Sequence, residues 1–209
     1  MARRARWIAL LLLATLAWAT GGCLGGAARE VRTFRLTLPE PAESRAGVLL
    51  AGTLLVERPR TDALLNERAL VFRASPDASE LRQYAYTRWV DAPAVLVQQA
   101  MVERLDRERV ADRVLRAGLG SPADWTLVSR IDRFERVGGE GPVVEVALEL
   151  AWLRASSRDV LHAGHYRVSR RAGSAQVEDA VAALGVALGE ALDLAVADLA
   201  GRLPRSSAP

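Results

Sequence analysis

Few residues in this chain have the type and spacing to do chemistry. The only cysteine, Cys23, stands in the stretch TGGCLGG behind an uncharged apolar run. Such a thiol is a free nucleophile, half of a bridge between two molecules, or the acceptor of a covalent lipid. Two histidines, His162 and His165, lie three apart in LHAGHY. On a helix they would share a face; on a strand an odd separation sends them to opposite faces. No Cys or Asp/Glu cluster at metal-site spacing joins them, so no metal is expected. Ser121 in GLGSPAD precedes a proline and lacks the strand and helix that flank a nucleophile elbow. Glu145 and Glu149 share one face of an alternating segment and could be imagined as an acid/base pair. They sit opposite a regular apolar face, which reads as a solvated surface. No catalytic residue and no cofactor are expected. The remaining candidates are aromatic: Tyr84, Tyr86 and Trp89, either core packing where a sheet meets a helix or a patch facing a partner.

The context of Cys23 separates its three fates. Arg3, Arg4 and Arg6 open the chain, and Trp7 to Thr20 carries no charge. Spanning a bilayer takes roughly 20 apolar residues, and this run is shorter. A basic start, a short apolar centre and small residues at the end describe a secretory signal peptide over residues 1–22. A cysteine at the end of an export signal favours lipid attachment over a stray thiol. Thr20, Gly21 and Gly22 before Cys23 resemble the lipobox of bacterial lipoproteins, departing from it at Thr20, where an aliphatic residue is usual. Leu24 follows, not the Asp that resembles an inner-membrane retention signal, which points to the outer membrane.

The whole chain carries 28 Lys+Arg against 25 Asp+Glu, and every basic residue is Arg. Removing residues 1–22 takes three arginines and no acid, leaving 25 against 25. The footprint of a nucleic-acid binder is therefore missing. Exclusive use of Arg with abundant Ala, Gly and Val looks like codon bias, so single arginines carry little functional weight. About 187 residues remain, enough for one domain.

Periodicity lays out that domain. Residues 23–30 are small and glycine-rich, a tether behind the lipid. Strands are expected at Val31–Leu38, Val48–Pro59, near Ala69–Arg73 and at Leu81–Trp89, the last two forming a hairpin. Pro93 opens a helix to about Arg107, with Asp91 or Ala92 as its cap and Asp91 the better side chain for it, and with Val97, Met101 and Leu105 inward and Glu103, Arg104 and Arg107 outward. ERVADRVLRAG reads equally as more helix or a short strand. Trp125–Val137, Val144–Trp152 and Val160–Arg171 read as an antiparallel meander. A long amphipathic helix follows Ser174, which can cap it, and its Gly185 and Gly189, four apart, suit close packing. PRSSAP, residues 204–209, reads as a disordered tail, leaving 31–203 as the domain. The expected class is α+β: a mostly antiparallel sheet with two helices packed on one face, in two layers.

In this order the elements resemble the ABC-type transport auxiliary lipoproteins. YAYTRWVDAPAVLVQQAMVERL matches their Tyr-bearing strand, Trp and Pro-opened helix at Tyr84 or Tyr86, Trp89, Pro93 and Leu96. RIDRFE, with Phe134 and Glu135, then VEVALELAW and the Ala-rich final helix continue the pattern, and Phe34 and Leu36 fit the strand after the tether. The resemblance implies a periplasmic adaptor beside an ABC permease and ATPase with an MCE-type substrate-binding subunit. Such systems move phospholipids or other hydrophobic molecules across the envelope. It implies no catalytic residue, only lipid attachment at Cys23. A homo-oligomer is left open.

Overall fold

The computed structural model describes residues 29–41, 47–118, 120, 122–139 and 141–203. The chain divides into two units, Met1–Val31 and Arg32–Pro209. The proposed leader, Cys23 and most of the tether lie outside the described residues, as do Ser121 and the tail.

The second unit is organised on one long strand. Strands β1 (Arg32–Phe34), β2 (Leu50–Val56), β3 (Arg60–Thr61), β4 (Ala69–Arg73) and β5 (Arg82–Trp89) precede helix α1 (Pro93–Arg107). Then come β6 (Ala111–Arg116), β7 (Trp125–Val137), β8 (Val143–Arg154), β9 (Val160–Arg171) and helix α2 (Val177–Arg202). One edge of β7 carries β8 along its whole length, and β9 pairs with β8, both antiparallel. Its other edge carries three short strands in series, all parallel to it. Leu54–Val56 lies beside Trp125–Leu127, Arg60–Thr61 beside Arg130–Ile131, and Phe72–Arg73 beside Arg136–Val137. β6 adds to β2 in parallel; β5 adds to β4 antiparallel, and β1 to β5 in parallel.

The expectation of a mostly antiparallel sheet is therefore wrong. Among the described residues five of the eight strand pairings are parallel, and the mixed sheet curls into a half-barrel. Alternation reports that a segment is a strand; it is silent on the direction of the neighbour.

Helix α2 lies against β8 and β9, on the face that carries Val146, Leu148, Leu150 and Trp152 of β8, while α1 lies against β6 and β2 and reaches Ser129 of β7 through Met101. On β7 the same face shows Leu127, Ser129 and Ile131; a register shift between Ile131 and Arg133 then brings Phe134 onto it. Leu105, Met101 and Val97 of α1 and Leu184, Leu188 and Leu192 of α2 fill the layer, each side chain contributing about 1.5–3 kcal/mol by burial. By length and composition α2 could cross a membrane, yet 67% of its most apolar window is buried in the domain, as a core helix requires. Of the two cap positions read for α1 the structure takes Ala92, and neither helix has a side-chain cap. Asp91 accepts from the Ala92 N–H instead; Gln176 caps α2, and Ser174 accepts from its N–H at 3.1 Å.

Only Arg32–Phe34 of the first expected strand pairs in the sheet. The residues after it cross α2 as an extended strap. A Cβ on Gly185 would collide with the Thr37 carbonyl, and one on Gly189 would touch the Pro39 ring at 3.6 Å. Arg104 of α1 holds the strap's far end, donating to the Pro39 carbonyl at 2.9 Å. The same guanidinium binds Glu108 at 2.6 Å and Asp193 of α2. Expected to face water, Arg104 is 4% exposed: it fills the seam where α1, α2 and the strap meet. Burial, and after it the hydrogen bond with Asp193, pushes the Glu108 carboxyl above its usual range, against the pull of Arg104.

Candidate functional site

Strand β5 carries the aromatic candidates, and its geometry depends on a register break. Phe72 and Val71 of β4 pair with Arg82 and Gln83, but the next pairing is Ala69 with Arg88. Four residues of β5, Tyr84 to Thr87, thus face the single Leu70 of β4. Surplus residues on one strand force it to bulge. The bulge overrides simple alternation and gives the three aromatics different environments. Trp89 lies 1% exposed in the core, its ring 5.6 Å from that of Phe134 at 45°. Tyr84 is half-buried, 4.6 Å from the Phe72 ring, and its hydroxyl accepts from Arg136 Nη1 at 2.6 Å. Tyr86 is 45% exposed.

Beside the bulge a cleft of about 510 Å³ opens between the β4 and β5 segments. Asn66, Glu67, Arg68, Gln83, Tyr84 and Arg88 line it. Arg68 donates from Nε to the Trp89 carbonyl at 3.1 Å, which holds its guanidinium at the rim. Glu67 accepts from Gln83 at 2.9 Å. Arg88 has no ion-pair partner among the described residues, and Arg136, behind Tyr84, has no carboxylate partner among them. The Arg136 Nε is buried without a hydrogen-bond acceptor. The cleft is therefore cationic.

The other candidates do not converge on it. His162 and His165 stand on opposite faces of β9, opposite Trp152 and Glu149 of β8. His162 Nε2 contacts the Tyr166 hydroxyl at 3.1 Å, and His165 lies 3.9 Å from Glu149. Burial first, and then the negative charge of Asp198, raises the Tyr166 phenol to about 12. Glu145 is not a simple solvated acid. It faces Glu135 directly across β7 and β8, and Arg73 and Arg133 bridge the two. Arg73 binds Glu135 at 2.7 Å and Glu145 at 2.9 Å, and donates to the Pro76 carbonyl at 2.6 Å. Among the described residues no group of three His, Cys, Asp or Glu side chains is placed to hold a metal ion.

Sequence reasoning missed Arg68, Arg88, Arg136, Arg73 and Arg104. Because all basic residues are Arg, their type carries no signal; the acids at matching register positions would have found only Arg73 and Arg133.

The sequence matches the family described as the ABC-type transport auxiliary lipoprotein component over residues 34–195. The chain belongs to this family. The match runs from β1 through most of α2 and includes the β5 cleft. Membership implies a membrane-anchored periplasmic protein, and a transport-auxiliary lipoprotein is not an enzyme class. Protein XCC0632 from Xanthomonas campestris, of the DUF330 family, superimposes with a TM-score of 0.67 at 20% identity, over 84% of this chain and 96% of that one. An uncharacterized protein gives a TM-score of 0.65 at 12% identity, over 81% and 99%. At these identities the likeness shows the fold. No curated protein matches the sequence.

Proposed function

We propose that the mature protein begins at Cys23, carries lipid there, and serves as an outer-membrane-anchored adaptor of an ABC transport system with an MCE-type subunit. The cargo would be phospholipid or another hydrophobic molecule. The observation that carries this reading is the family match over residues 34–195, downstream of a basic, apolar, small-residue leader ending at a lone cysteine. Acyl chains contribute roughly 0.8 kcal/mol per buried methylene, so two or more hold a domain of this size at a membrane. The domain then contributes surface rather than chemistry: β5 presents Tyr86, and the cleft beside it presents cations.

Affinity purification of the lipidated chain from its own cells tests the adaptor role. Recovery of an MCE-domain protein with a permease is expected; recovery of polymer-export proteins without them rejects it. Intact-mass measurement tests the anchor. A mature chain starting at a diacylated Cys23 is expected, and an unmodified thiol or retained leader overturns it.

A further inference from the structure

We infer that the cleft between β4 and β5 is a docking site for an extended, acidic peptide segment of a protein partner. This rests on the reading of the domain as an adaptor and names the chemistry of what it grips. Two guanidinium groups line the cleft, Arg68 and Arg88, against one lining carboxylate, Glu67, and a third, Arg136, stands behind the lining residue Tyr84. Within the domain Arg68 donates only to a backbone carbonyl, and Arg88 is unpaired among the described residues. A planar guanidinium with free N–H groups matches a carboxylate, bidentate where both oxygens are reached. Arg136 stands behind Tyr84, and its Nη1 donates to the phenol oxygen at 2.6 Å, which orients and polarises that hydroxyl.

The shape and polarity select a peptide over a compact anion. Glu67 stands in the wall and opposes a small dianion such as phosphate, whereas a chain carrying spaced carboxylates places them at Arg68 and Arg88 and turns its amides to Asn66 and Gln83. The register break that opens the cleft spends four β5 residues where a regular hairpin spends one. A ladder of regular pairs would have closed this space.

The probe is a fluorescein-labelled Glu-Val-Glu-Val-Glu peptide, read by anisotropy with the full lipidated chain in neutral detergent. Binding that weakens with salt is expected. Arg88→Gln should weaken it about tenfold, and Arg68→Gln should also weaken it. Arg113→Gln, at an exposed position of β6 far from the cleft in the sheet order, should leave it unchanged. Melting curves establish that each variant is folded. Absence of binding, equal losses in Arg88→Gln and Arg113→Gln, or displacement by inorganic phosphate at concentrations below the peptide's own Kd would overturn the inference. A parallel purification with Arg88→Gln separates the two readings. If wild type and variant recover the same transport subunits while the peptide fails to bind, the cleft assignment falls and the adaptor role stands. If the peptide binds through Arg88 but wild type recovers no transport subunit, the adaptor role falls and the cleft stands.

Discussion

The Thr37 carbonyl occupies the space where a Cβ on Gly185 would stand, while Gly189, one helical turn on, leaves room for one beside Pro39. The two glycines look equivalent in the sequence and are not. Gly185→Ala must move backbone, either the strap or the helix, and overpacking of this kind costs roughly 1–3 kcal/mol. Ala gains up to about 1 kcal/mol of helix propensity at either site. Gly185→Ala is therefore expected to lower the urea midpoint and Gly189→Ala to leave it unchanged or raise it. Equal shifts in both would contradict the strap's placement.

The bridged acids Glu135 and Glu145 give a second test. Arg73 and Glu135 are almost fully buried. Replacing Arg73 by Met leaves Glu135 with only Arg133, itself one-third exposed, and breaking a buried pair in this way costs roughly 3–5 kcal/mol. Adding Glu135→Leu to Arg73→Met should recover part of that loss. Chemical denaturation of the two single variants and the double variant gives the coupling directly; simple additivity would mean the guanidinium is not carrying the acid.

The third concerns Tyr166, one of three tyrosines. Its phenol titrates near 12 against the usual 10, because burial disfavours the phenolate and Asp198 repels it. The folded state therefore holds its proton longer than the unfolded state. Stability from this group is intact below pH 10 and is lost as pH rises from 10 to 12. Absorbance titration at 295 nm should show one tyrosine ionising late, and Tyr166→Phe should abolish that step. A late step surviving in the variant would assign it elsewhere.

Much of the fold is legible because burial writes a period into sequence. Val144 to Trp152 alternates, and it is the central strand of the meander. Val97, Met101 and Leu105 recur every four residues, and they line the buried face of α1. What escaped depends on partners distant along the chain. The parallel pairings of β2, β3 and β4 leave no mark on their own periodicity. Arg104 looks like a solvated residue until Asp193 and Pro39, each far away in sequence, converge on it. The β5 bulge likewise hides within an ordinary-looking strand, so the three aromatics read as one group while the fold disperses them. At the cleft, Tyr84 was legible as a candidate; the arginines around it were not, in a chain whose every cation is Arg.

The serial pairing along β7 also bears on the order of assembly. β2 and β4 are made early, yet their partners on β7 lie roughly seventy residues downstream. Loop closure over that distance is slow, whereas the β7–β8–β9 meander closes through short turns. Contact order therefore favours the C-terminal meander as the template on which β2, β3 and β4 are laid down. Until β7 emerges, β4 can pair with β5 and β2 with β6, but the edges that β7 covers stay bare, and a polypeptide in that condition depends on prompt completion to escape aggregation.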